Sequence, residues 1–252
     1  MKYKLYPSEI WSHIHASIDK ALLQNPRPIA AFDADGTLWD TDLGESFFRY
    51  KIDRNLVELP EDPWNHYFEL KKKHGDPRTA YLWLAQILKG QKIDQVQTWA
   101  QESVKALAPV PVFEEQKKLI ETFKSRGVQV YIVTASIKWA VEAGAALVGL
   151  TPDDVIGIET DVQDGVVTDR PQGIITHREG KAEALLHATG GKKPFFCSGN
   201  TMGDLELLEC STDLKLAVSA ASRDDRIFRT EDDLQKLAME RGWLHHRFIV
   251  SE

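Results

Sequence analysis

Apolar residues at Ile10, Ile14, Ile18, Leu22 and Leu23 recur with the spacing of one helix face, and Asn25-Pro26 closes the run. The chain is therefore expected to begin with a helix over residues 8–24. The pattern then changes. Residues 28–32 form a short apolar run, which reads as a buried strand and ends abruptly in the polar Asp33-Ala34-Asp35-Gly36-Thr37. Runs of the same character follow at 128–133, 155–159, 194–197 and 215–218. Helical periodicity lies between them, at 114–125, 137–148, 181–188, 203–208 and 230–241. Strands alternating with helices predict an α/β fold with a mainly parallel sheet flanked by helices. Such sheets bind ligands beyond the carboxyl ends of their strands. Asp33, Thr134 and Asn200 each fall just past such an end.

Residues 43–107 break the alternation. They contain no convincing strand and read as helices over 45–59, 64–73, 78–88 and 94–107, punctuated by Gly75-Asp76-Pro77 and Gly90. This segment is expected to be an all-helical insertion after the first strand, with 1–42 and 108–252 forming the α/β core. A second irregular stretch, 155–176, reads as a hairpin turning at Asp164-Gly165.

Composition narrows the function classes. The 252 residues are 42% hydrophobic and 27% charged, which is ordinary globular composition. No stretch approaches the ~18 consecutive apolar residues of a membrane span. The N-terminus lacks the apolar centre of a secretory signal, which points to the cytoplasm, although an exported chain with its signal removed would read the same. Cys197 and Cys210 make neither a metal-ligand spacing nor a disulfide framework, and are expected to be reduced structural thiols. A net charge of −7 with no basic block argues against a nucleic-acid partner.

The candidate chemistry starts at Asp33 and Asp35. Two carboxylates one residue apart at a strand end occur in ordinary turns. An EF-hand loop would need Glu at its twelfth position, where this chain has Gly44. Beside the turn, the sharper reading is covalent phosphoryl transfer, with one carboxylate as nucleophile and the other as proton donor. Farther along, Thr134-Ala135-Ser136 offers hydroxyl and backbone N–H groups at an expected strand-to-helix junction, suited to an anion. Lys181 follows Gly180 at the start of a helix, and an apolar strand at 195–197 runs into the polar, acid-bearing Ser198 to Asp204.

In this order and spacing, the four segments resemble the signature motifs of the haloacid dehalogenase superfamily. The resemblance implies a Rossmann-like core and gives each residue an expected role. Asp33 becomes the nucleophile and Asp35 the general acid/base, a pair typical of the superfamily's phosphatases. Thr134 and Lys181 hold phosphoryl oxygens, with Gly36, Thr37, Ala135 and Ser136 beside them. The expected cofactor is Mg²⁺, held by Asp33, the Asp35 carbonyl and the loop bearing Asn200 and Asp204. Asn200 departs from the usual aspartate, so the resemblance leaves open whether it or Asp204 is the direct ligand.

A helical insertion between the first two motifs is similar to the C1 caps of phosphoserine phosphatases and related enzymes, implying a small phosphomonoester as substrate. Residues 81–88 contain no cation to match the carboxylate-binding arginine of those enzymes. Trp39, with Asp40, Asp42 and Glu45 nearby, suggests instead a pocket for a cationic head group, and the segment DADGTLW resembles bacterial phosphorylcholine phosphatases. Phosphocholine or phosphoethanolamine is the expected substrate on that reading. Trp64, Trp83 and Trp99, with Trp39, are four of the seven tryptophans, and packing of a small cap is their plainer use. A mutase, a phosphotransferase or a non-catalytic phospho-ligand binder would share much of this core.

Overall fold

The computed structural model describes residues 3–249. Its strands are β1 (Ile29–Phe32), β2 (Gln129–Ile137), β3 (Val155–Gln163), β4 (Val166–Gln172), β5 (Phe196–Gly199), β6 (Leu214–Ser219) and β7 (Leu244–Arg247). They form one sheet in the order β4-β3-β2-β1-β5-β6-β7. Every neighbouring pair is parallel except β3 and β4, the expected hairpin, whose turn places Asp164 and Gly165 at positive φ. From β1 the chain winds outward through β2 and β3, then returns to the other side of β1 for β5, β6 and β7. The carboxyl end of β1 is therefore the topological switch point, where open α/β sheets place their ligands.

The helices are α1 (Ser8–Gln24), α2 (Leu43–Asp53), α3 (Pro63–Lys72), α4 (Arg78–Gln86), α5 (Ile93–Ala106), α6 (Glu114–Ser125), α7 (Lys138–Ala145), α8 (Glu179–Ala188), α9 (Leu205–Cys210) and α10 (Phe228–Glu240). The two-residue period of the strands divides the interior. Ala30, Phe32, Ile132, Phe196, Leu216 and Val218 face α1, α6 and α7, while Ala31, Val133, Cys197 and Ala217 face α8, α9 and α10. Helices on both faces explain why the central strands read as unbroken apolar runs. Both cysteines are free and buried. Among the described residues, no helix is long and apolar enough to cross a membrane.

Helices α2 to α5 occupy the stretch between β1 and α6, as the periodicity predicts. Phe48, Tyr67, Ala80 and Leu84 make a cluster of their own from α2, α3 and α4, joined by Trp64 and Trp83. The other half is not separate. Phe47 and Tyr50 of α2 and Val96 and Ala100 of α5 pack with Ile137, Trp139 and Ala140 of the core and with Val167 of β4. Backbone bonds join the same edge: the Gly90 N–H donates to Val167, Val167 to Gln91, and Ile93 to Gly165, at 2.8–2.9 Å.

Two local expectations need correction. Strand β2 does not stop at 133 but runs to Ile137 through a register shift between Val133 and Ile137. Thr134-Ala135-Ser136 thus lies in an irregular strand end, and α7 starts only at Lys138. A bulge of this kind re-aims side chains beside a site, and an apolar-polar pattern does not reveal it. Strand β7, which reads Leu-His-His-Arg, was too short and polar to be expected.

Candidate functional site

Beyond the carboxyl end of β1, the chain turns through Gly36, whose φ of +79° and whose position against Asn200 both require a residue without Cβ. A Cβ there would sit 2.0 Å from the Asn200 Nδ2. This turn places Asp33, Asp35, Thr134 and Lys181 around one cleft of about 600 Å³, a size suited to a small molecule. Gly36, Asp42, Glu45, Ala135, Ser136, Asn200 and Asp204 also line it. Thr37 and Trp39 do not; both are fully buried beneath it.

The two aspartates have different surroundings. Asp33 accepts from the Lys181 ammonium at 2.5 Å and from the Thr37 hydroxyl at 2.9 Å. Lys181 also donates to Asp204 at 2.5 Å, so two buried carboxylates share one cation. Burial, with the Asp204 charge next, pushes Asp33 up to about 7 against the pull of Lys181. Burial would lower the Lys181 pKa, but Asp204 and Asp33 outweigh it and hold the ammonium protonated. The trio is left with one uncompensated negative charge.

Among the described residues, no cation is bonded to Asp35. Its carboxylate accepts from the Trp39 indole at 2.8 Å, the Leu43 N–H at 2.9 Å and the Ser136 hydroxyl at 2.5 Å. Burial raises its pKa, and these three bonds draw it part of the way back. The Thr134 hydroxyl accepts from the Ser136 N–H at 3.0 Å, which leaves its own proton for another acceptor.

The Trp39 ring, expected as a face for a cation, is fully buried, and its N–H is bonded to Asp35. The acids around it are engaged as well. Asp40 accepts from Tyr3 at 2.9 Å, and Asp42 caps α2 through the Glu45 N–H at 2.7 Å. Glu45 pairs with Lys71 at 3.3 Å and with Arg226. The aromatic lining comes from Tyr67, Phe68 and Tyr81 instead. Lys71 stands 4.8 Å and 5.3 Å from the ring centres of Tyr67 and Tyr81. His177 also faces the cleft, and burial followed by the Lys181 charge lowers it to about 4, so it is neutral.

Sequence reasoning missed Tyr67, Lys71, Tyr81, His177 and Arg226. Only Arg226 had a usable signal, because it lies in the loop beyond the carboxyl end of β6, where this fold class gathers its ligands. The others reach the cleft from helices or an irregular connection whose placement depends on tertiary packing.

Among the described residues, no three acid, histidine or cysteine side chains converge as a ready-made cation cage. Both oxygens of Asp204 are occupied, one by Lys181 and the other by the N–H groups of Asn200 and Thr201. Asp33 is bonded at both oxygens as well, by Lys181 and Thr37, and with the Asn200 carboxamide and the backbone beside Asp35 it makes a ligand set with a single carboxylate. A set so short of charge fits Mg²⁺, which keeps several waters and takes one or two carboxylates together with substrate phosphate.

No curated protein matches the chain in sequence. Its fold is similar to that of a protein of unknown function from Bordetella pertussis Tohama I. That protein is 20% identical, with a TM-score of 0.69 over 87% of this chain and 98% of the other. A functionally unknown protein from Anaerococcus prevotii DSM 20548 is 13% identical, with a TM-score of 0.72 over 97% of this chain and 95% of the other. A phosphoserine phosphatase, solved as an analogue of its phospho-aspartyl intermediate, is 16% identical, with a TM-score of 0.54 over 89% and 95%. At these identities the likeness is one of fold. The family model for haloacid dehalogenase-like hydrolases matches residues 30–209, well over half the length, and covers β1, the helical insertion, Lys181 and the Asn200–Asp204 loop. The chain belongs to the haloacid dehalogenase-like hydrolases.

Proposed function

We propose that this hydrolase is a Mg²⁺-dependent phosphatase of small phosphomonoesters. The observation that carries the proposal is the pair of aspartates at the end of β1, one bonded to an ammonium and the other to neutral donors. Paired carboxylates in unlike environments divide the roles of nucleophile and acid/base. The Asp33 carboxylate attacks phosphorus as the ester P–O bond breaks, and Asp35 gives its proton to the departing alcohol oxygen. Asp35, now a carboxylate, takes a proton from the water that attacks the aspartyl phosphate, which releases inorganic phosphate and restores Asp33. Thr134 and Lys181 hold phosphoryl oxygens in place. Asp33, the Asp35 carbonyl and Asn200 would hold the Mg²⁺, which supplies positive charge to the phosphoryl oxygens when bound.

Helices α2 to α5, residues 43–107, act as the cap in this reading, closing the cleft to water and to protein-sized substrates. For the organic half, an ammonium head group as in phosphocholine or phosphoethanolamine would lie against Tyr67, Phe68 and Tyr81, with Asp42 and Glu45 close by. Lys71 and Arg226 already occupy Glu45, so the head group would have to displace one of them.

Hydrolysis of p-nitrophenyl phosphate tests the assignment. EDTA should abolish turnover and added Mg²⁺ restore it. Asp33→Asn should be inactive, because an amide cannot form the acyl phosphate, and Asp35→Asn should be slowed ~10²–10⁴-fold. Wild-type turnover by Asp33→Asn would remove the phosphatase reading.

A further inference from the structure

Behind the cleft lies a buried acid with no part in the chemistry described so far. Glu231, in the first turn of α10, is fully buried and accepts three N–H groups. Its Oε2 takes those of Ala220 at 3.0 Å and Ala221 at 2.9 Å, just past the end of β6. Its Oε1 takes the Asn200 Nδ2 at 2.9 Å. No lysine or arginine is bonded to it among the described residues; Arg247 donates to Ser219 and Ala221 and acts on Glu231 only through space. A buried carboxylate without a cation is costly, and losing one of its donors costs more.

The arrangement settles which way Asn200 points. A carboxamide presents an oxygen on one side and an NH₂ on the other. As a carboxylate that already takes two backbone N–H groups, Glu231 accepts, so the NH₂ turns to it. The Asn200 Oδ1 is left on the side of Asp33, where the Thr37 hydroxyl lies 3.3 Å away. Reversed, the same residue would aim two N–H donors at the place where a cation needs an oxygen.

We propose that Glu231 is a positioning residue for the metal site. It turns the Asn200 oxygen toward Asp33, and it supplies, one hydrogen bond behind the amide, the negative charge that an aspartate at position 200 would carry directly. The inference rests on the metal-dependent reading above. It also explains why an asparagine is tolerated there, because the acid has been moved outward rather than lost. An aspartate at 200 facing Glu231 would set two buried carboxylates in contact without a proton or cation between them.

Titrating the full chain with MgCl₂ by calorimetry, with thermal unfolding in EDTA as the check on folding, tests this. Glu231→Gln should weaken Mg²⁺ binding about 10–100-fold, the usual cost of losing a partner behind a ligand. Asn200→Asp alone should lower the metal-free melting temperature. The double variant Asn200→Asp/Glu231→Gln exchanges donor and acceptor, keeps the bond, and should regain wild-type Mg²⁺ affinity or exceed it. A Glu231→Gln protein that melts and binds Mg²⁺ like wild type would overturn the inference. So would a double variant that binds no better than Glu231→Gln, even if the single change damages folding. A wild-type chain that binds no Mg²⁺ at all would overturn the metal-dependent reading and the inference together.

Discussion

At the scale of single residues, the site depends on what each side chain is already bonded to. Trp39 has the composition of a binding residue and the contacts of a supporting one, since its indole donates to Asp35 and its ring is buried among Leu38, Leu43 and Phe113. Trp39→Phe should keep an aromatic ring there, leave a void beside Gly144 and remove a donor from a buried carboxylate, a loss of about 1.5–3 kcal/mol when such a bond is charged. The expected result is a fall in kcat of about 10–100-fold, equal for phosphocholine and for 3,3-dimethylbutyl phosphate, which has the same shape but an uncharged head group. A loss confined to phosphocholine would return Trp39 to the head group. The acids that carry chemistry were legible in the sequence because their meaning is local: Asp33 and Asp35 are set by a strand end and a tight turn. Glu231 was not, because it acquires its role from Asn200, far away in the chain; the loop position of Arg226 was a usable signal, but its pairing with Glu45 was not.

Among the secondary-structure elements, α2 carries a different kind of anomaly. Its Lys51 is fully buried, with the Nζ donating to the Leu84 carbonyl at 3.0 Å and lying 4.6 Å from the Phe47 ring centre. No carboxylate is bonded to it among the described residues, and burial lowers its pKa to about 7. The unfolded chain therefore holds a proton that the folded chain has given up between about pH 7 and 10. The Lys51 contribution to stability is most unfavourable below pH 7 and improves through that window, because the unfolded state binds the extra proton. Lys51→Met should flatten that rise and stabilise the protein by roughly a few kcal/mol near pH 6, with little gain above pH 10. Urea unfolding at several pH values reads the difference, and identical slopes for both proteins would place the charge of Lys51 elsewhere. Helix periodicity located all four inserted helices, since amphipathic spacing survives without tertiary knowledge. It could not locate the irregular end of β2, where the register shift depends on pairing with β3.

For the molecule as a whole, the cleft lies between the carboxyl ends of the sheet and the inserted helices. Its lining is richer in acids than in bases: Asp33, Asp35, Asp40, Asp42, Glu45, Asp204 and Asp225 face Lys71, Lys72, Lys181 and Arg226. If an ammonium head group is the substrate feature, phosphocholine or phosphoethanolamine should exceed phosphoserine and sugar phosphates in kcat/KM, and Tyr67→Ala should cost them ~0.5–2 kcal/mol. Better turnover of phosphoserine would reject the head-group reading and leave the phosphatase reading intact. The bonds that join residues 90–93 to β4 bear on how such a cleft can open. A lid hinged only at its two chain ends would swing away in one piece. Here α5 and the root of α2 share apolar contacts with α7 and β4, and α4 joins them through Ala85 and the Gln86 bond to Asp169, whereas α3 packs chiefly on α2 and α4. Amide exchange should therefore be graded across the insertion, with Gly90, Ile93 and Val167 among the slowest protons and α3 and the turn after it among the fastest. Opening becomes the peeling back of a tip from a fixed root, and a crosslink between residue 92 and residue 166 should leave turnover untouched.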